Sequence, residues 1–126
     1  MKPVKPSFRS AFTFAVQGII HAFKAERNMK IHTAAAIMVI IAGMLFGLTP
    51  MRWMFLALAI TLVISAELLN TAVEAVVDLV SPDEHPLARI AKDTAAGAVL
   101  ITALFAVIVG VVVFYDPVLS WISSRF

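Results

Sequence analysis

Between Ser7 and Lys24, Ser10, Thr13, Gln17, His21 and Lys24 recur as polar positions, and Phe8, Phe12, Ala15, Ile19 and Phe23 recur as apolar ones. Both sets step by three or four, which predicts an amphipathic helix over about 7–28. Pro3 and Pro6 mark a non-helical start, and Ser7 is the candidate cap. Basic flanks and phenylalanines on one side predict that this helix lies in a membrane interface. From Ile31 the pattern becomes continuous, and "IHTAAAIMVIIAGMLFGL" to Leu48 is about long enough to cross a bilayer core. Thr49 and Pro50 make a turn. A second helix runs over about 51–80, apolar to Ile64 and then carrying polar residues at helical spacing. "SPDEHP" breaks the chain, and a third long helix covers about 87–115. A short tail, "DPVLSWISSRF", holds Trp121 as an interfacial anchor, and Trp53 reads the same way. The expected fold is an all-α membrane protein of one domain over 1–126, with a surface helix and three transmembrane helices.

Composition agrees with lipid as the solvent. The 126 residues are 61% hydrophobic, against about 45–50% in soluble domains, and the mean hydropathy is +0.95. With no cysteine, disulfides, thiolate metal sites and cysteine nucleophiles are excluded. No basic tract suited to nucleic acid occurs. Gln17, His21 and Lys24 interrupt the first segment, so no cleavable signal peptide is expected. Lys2, Lys5, Arg9, Lys24, Arg27 and Lys30 precede the first span, whereas Arg52 alone lies between the first two. Arg89 and Lys92 follow the second span, and Arg125 lies in the tail. This asymmetry predicts a cytoplasmic N-terminus, an outer C-terminus, and a cytoplasmic acidic end for the second helix.

That acidic end, "SAELLNTAVEAVVD", carries the candidate chemistry. At about 100° per residue, Glu67, Glu74 and Asp78 lie within roughly 20° of one line, with Asn70 about 60° away. Ionisable groups inside a span are costly, which makes the stripe a candidate site. Carboxylates with an amide are hard oxygen ligands suited to Mg²⁺ beside substrate phosphates. Lys92 could neutralise phosphate charge, and a deep Glu67 could take a proton from a buried hydroxyl. Glu26, Arg27, Asn28, His32, His85 and Asp93 fall at the same membrane face. A plainer alternative pairs the stripe's outer residues with Arg89 and Lys92 as structural ion pairs. A transport role predicts polar residues continuing across the membrane, yet the first and third spans are apolar through their outer halves apart from Thr102. Gly43 and Gly47 form a G-x-x-x-G that could allow close packing. His21 is expected on the wet face, and His32 reads as a site residue or an interfacial one.

"AELLNTAVEAVVD", His85 and "AKDTAAGAVL", supported by "AFKAERNMKIH", resemble the small integral-membrane prokaryotic lipid kinases, diacylglycerol kinase and its undecaprenol kinase relatives. The resemblance covers nearly the whole chain. It implies transfer of the γ-phosphate of ATP to a lipid hydroxyl in the bacterial cytoplasmic membrane. It implies Glu67 as the base, and Glu26 and Glu74 as ligands of Mg²⁺ on the ATP phosphates. Lys92 and Asp93 match the nucleotide-contacting pair, Asp83, Glu84 and His85 the loop on the nucleotide, and Asn70 and Asp78 site-lining positions. It further implies a homotrimer with shared active sites, in which Glu26 can meet a different chain's Glu67. "ERNMKIH" is more like the Gram-positive branch, whose members favour undecaprenol; in enterobacterial diacylglycerol kinases the His32 position is acidic. Undecaprenol is therefore the expected substrate and diacylglycerol the alternative.

Overall fold

The computed structural model describes Lys5 and residues 7–126; the expected non-helical start at Pro3 and Pro6 lies outside the described residues. Four helices follow in order: α1 (Phe8–Ala25), α2 (Arg27–Phe46), α3 (Pro50–Val80) and α4 (Pro86–Arg125). Each boundary has a local cause. Ser7 Oγ accepts from the Ser10 amide at 3.2 Å and starts α1. Glu26 leaves helical geometry at φ −104°, ψ 120°, so α1 and α2 meet at one extended residue. Gly47, at φ 64°, ends α2 in the left-handed conformation that glycine adopts without a Cβ penalty. Thr49 Oγ1 accepts from the Arg52 amide at 3.4 Å, and Pro50 occupies the first turn of α3. His85 Nδ1 accepts from the Leu87 amide at 3.1 Å and caps α4 ahead of Pro86.

Three helices, α2, α3 and α4, are long and apolar enough to cross a membrane. The 31 residues of α3 span about 46 Å at 1.5 Å per residue, more than a hydrocarbon core of about 30 Å. Its acidic end therefore has length to spare beyond the apolar zone. Helices α3 and α4 share most of the interhelix contact, while α1 and α2 pack more lightly. The core cluster joins Leu48, Leu56, Ala59, Val109 and Val113, with Trp53, Phe105 and Phe114 against it. It sits where α3 begins and α4 nears its end, away from the carboxylates. Phe46 contacts Phe114 and Trp121 edge-on, at 6.2 and 6.5 Å.

Two local features depart from the sequence pattern. Helix α4 does not stop near Tyr115 but continues through Pro117 to Arg125, so the expected tail is helical. Pro117 has no amide to give the Val113 carbonyl four residues back. Arg52 Nη1 of α3 donates to that carbonyl at 2.6 Å instead, and Nη2 reaches Asp116 Oδ2 at 3.2 Å. A borrowed donor lets the helix carry the proline. Trp53, expected at the interface, packs across Gly43, where a Cβ would lie 2.6 Å from the indole. Gly43 thus supplies a close approach and Gly47 a turn, so the two glycines of G-x-x-x-G serve different purposes.

Candidate functional site

The polar stripe of α3 occupies one face, but its residues meet different neighbours. Glu67 is fully buried, 0% exposed, and Asn70 is buried beside it. His32 Nε2 of α2 approaches Glu67 Oε1 at 3.3 Å, although neither Glu67 oxygen receives a directed hydrogen bond within the chain. As packed here the carboxylate touches no solvent, so a substrate hydroxyl reaches it only after side chains around it shift. Thr71 Oγ1 donates to the Glu67 backbone carbonyl at 3.0 Å and is thereby occupied.

One turn further along α3, Asn70 Nδ2 donates to Glu74 Oε1 at 3.3 Å. The carboxyl of Glu26, from the α1–α2 junction, lies within hydrogen-bonding reach of Glu74. The extended backbone at Glu26 turns a residue at the end of the first helix towards the middle of the stripe. The two carboxylates that the resemblance assigns to metal therefore come together within a single chain. Two adjacent carboxylates repel unless a proton or cation lies between them. Asn70 Oδ1 is buried there without a partner. An ion with oxygen preference fits this donor set. Among the described residues no three His, Asp or Glu side chains converge as a metal cluster.

The outer end of the stripe faces α4. Lys92 Nζ donates to Asp78 Oδ1 at 2.6 Å and also lies near enough to Glu74 to feel its charge. Arg89 Nε pairs with Asp93 Oδ2 at 3.5 Å, one turn along the same helix. The ion pair anticipated between Asp78 and Lys92 is thus present, whereas Arg89 turns to Asp93. A cavity of about 650 Å³ opens here, lined by Asp78, Asp83, Glu84, His85, Arg89, Lys92 and Asp93 among others. Ser81 Oγ, donating to the Asp83 carbonyl at 2.8 Å, tightens the loop. Six of the ten sequence-predicted site residues line this cavity. Glu67, Asn70, Glu74 and Glu26 form the separate, deeper group, and Lys92 lies between the two.

His85 thus acts locally as a helix cap, a role the sequence did not suggest. Arg89 was foreseen as an ion-pair partner but not as a cavity wall. His32, which the sequence reads as a site residue or an interfacial one, lies against Glu67. A single helix's periodicity cannot supply that contact, because it fixes a face and not what a second helix brings to it.

The model of the prokaryotic diacylglycerol kinases matches residues 13–114, a stretch that contains all ten of these positions. The chain belongs to the prokaryotic diacylglycerol kinase family. It is 45% identical over 107 residues to an undecaprenol kinase of Bacillus subtilis, covering 85% of this chain and 87% of the relative. It is 48% identical over 118 residues to a diacylglycerol kinase of Synechocystis, covering 93% and 67%. A diacylglycerol kinase of Escherichia coli is 30% identical over 95 residues, covering 75% and 78%.

Proposed function

We propose that this family member is a membrane lipid kinase, a phosphotransferase that moves the γ-phosphoryl group of Mg-ATP to the hydroxyl of undecaprenol. The observation that carries the reading is the buried Glu67 two helical turns from the adjacent Glu26 and Glu74 carboxyls. Seven residues of rise separate Glu67 from Glu74 by about 10 Å along α3, room for an attacking oxygen and one phosphoryl group. Glu67 takes the proton of the lipid hydroxyl as the oxygen attacks phosphorus. Glu26 and Glu74, with Asn70, would hold Mg²⁺, which would offset the charge of the nucleotide phosphates.

The nucleotide enters over the cavity between α3 and α4. Asp78, Asp83, Glu84 and Asp93 line it against only Arg89 and Lys92, so bare polyphosphate is repelled and the metal complex is favoured. Lys92 leaves Asp78 for phosphate, an exchange that costs little because the pair is solvent-accessible. Asp83, Glu84, His85 and Asp93 contact the nucleotide, and the His85 cap keeps that loop fixed at the start of α4.

In this reading α1 lies in the cytoplasmic interface with Phe8 and Phe12 in lipid, both being exposed in the chain. The excess of lysine and arginine before α2 puts the N-terminus and the site on the cytoplasmic side of the bacterial membrane. The apolar faces left open on α2, α3 and α4 leave room for both lipid and two further copies in a homotrimer.

Diacylglycerol is the second reading of the substrate, favoured by the 48% identity to a diacylglycerol kinase. Purified protein in micelles, given radiolabelled ATP, Mg²⁺ and the two lipids at matched mole fraction, separates them. Label in undecaprenol that disappears with Glu67→Gln is expected. Preferential label in diacylglycerol moves the assignment to the second lipid, and label in neither overturns the kinase reading.

A further inference from the structure

Phosphorylation of an alcohol by ATP releases a proton. The lipid O–H bond breaks, the oxygen bonds to the γ-phosphorus, ADP leaves with the electron pair of the old bond, and one proton must reach water. If Glu67 receives that proton, it does so where the chain exposes none of its surface. A protonated Glu67 cannot serve the next cycle, so the proton needs a way out.

The polar groups nearby are mostly committed. Thr71 Oγ1 donates to the Glu67 carbonyl, Asn70 Nδ2 to Glu74, and Thr33 Oγ1 to the Met29 carbonyl. Lys92 is held by Asp78. Among the described residues, no lysine, arginine, aspartate or glutamate of α1 or α4 pairs with Glu67 or His32. His32 alone has a titratable nitrogen against Glu67, at 3.3 Å, and its side chain is 23% exposed against 0% for Glu67. It joins a sealed carboxyl to a partly exposed ring near the start of α2. The contact is slightly long and off the hydrogen-bond line, as catalytic contacts often are before substrate arrives.

We propose that His32 is the proton outlet of Glu67. The inference rests on the lipid-kinase reading with Glu67 as base. After phosphoryl transfer the Glu67 carboxyl hands its proton to His32 Nε2, and the imidazolium loses a ring proton to water. Glu67 returns to the carboxylate and His32 to the neutral ring. His32 touches neither substrate; it acts through Glu67.

The test is steady-state kinetics of full-length protein in micelles, comparing wild type, His32→Ala, His32→Gln and Glu67→Gln. His32→Ala should lower kcat by about 100-fold while the KM values for ATP and lipid stay within about twofold. Added imidazole should restore kcat of His32→Ala in a dose-dependent way and leave wild type and Glu67→Gln unchanged. Glutamine keeps a donor at this position but cannot carry a proton, so His32→Gln should remain slow. Full activity of His32→Gln, a His32→Ala kcat within about threefold of wild type, or a loss that imidazole does not relieve would each overturn the relay. A wild-type protein that labels no lipid would instead sink the kinase reading beneath it.

Discussion

Arg52 should be worth more than a surface arginine, and its worth should depend on a proline in another helix. Val113 is buried, and Pro117 leaves its carbonyl without the usual amide donor. The 2.6 Å bond from Arg52 Nη1 fills that gap. Removing it strands a carbonyl away from water, at about 1–3 kcal/mol. The Asp116 contact adds only about 0–1 kcal/mol, because Asp116 is 71% exposed. Arg52→Met, which keeps much of the aliphatic packing, should therefore lose about 2 kcal/mol. In a Pro117→Ala background the restored amide can serve Val113, and the same substitution should cost about 1 kcal/mol or less. Equilibrium unfolding in mixed micles of rising SDS fraction would measure all four proteins as a double-mutant cycle. Equal losses in both backgrounds would refute the exchange of donors. Lipid phosphorylation by folded Arg52→Met should match wild type, since Arg52 lies about 22 Å along α3 from Glu67.

Gly43→Ala places a methyl 2.6 Å from the Trp53 indole and should destabilise by about 1–3 kcal/mol, with Trp53→Phe relieving part of the loss in thermal melts. Lys92→Ala should raise the KM for ATP about tenfold while leaving the unfolding midpoint where it was, because its partner Asp78 is exposed; a midpoint shift with unchanged KM would make the residue structural. Glu26→Gln should raise the Mg²⁺ concentration for half-maximal activity by at least about tenfold, as even losses beyond the direct ligands do; an unchanged Mg²⁺ dependence would remove Glu26 from the metal site. Glu67→Met should abolish lipid phosphorylation yet raise the unfolding midpoint, since it replaces a buried carboxyl lacking hydrogen-bond donors; a lower midpoint would mean the carboxyl is held by contacts the chain itself supplies.

The long apolar helices were legible because hydropathy and length report directly on what a bilayer requires of a segment. The turn at Thr49 and Pro50 and the break at "SPDEHP" were legible from proline and capping chemistry. The end of α4 was not. Pro117 and Asp116 look like a stop, and the arginine that makes the proline tolerable comes from the start of α3. The carboxylate stripe was legible as one face of α3, and the Asp78–Lys92 pair was foreseen. What periodicity withheld was the division of that face among three partners. His32 approaches Glu67 from α2, Glu26 approaches Glu74 from the α1–α2 junction, and Lys92 approaches Asp78 from α4. Glu26 falls at the same membrane face by sequence, but only the family resemblance gives it a role, because nothing in its own surroundings distinguishes it from other charges near a helix end.

The two ends of the helix assembly are held by different forces, and the difference suits the proposed chemistry. At the far end, Leu48, Leu56, Ala59, Val109 and Val113 pack together and Arg52 ties α3 to α4. Close packing of that kind resists small displacements. At the site end the named contacts are polar: His32 to Glu67, Asn70 to Glu74, and Lys92 to Asp78. Such contacts can be traded for equivalent ones with phosphate, metal or a hydroxyl at little net cost, because the new partner satisfies the same groups. A substrate can therefore enter by exchanging partners without opening the core. The arrangement also accounts for a carboxylate as costly as Glu67 in this fold. In the proposed reading the polar contacts of the site end are completed by the ligands that bind there.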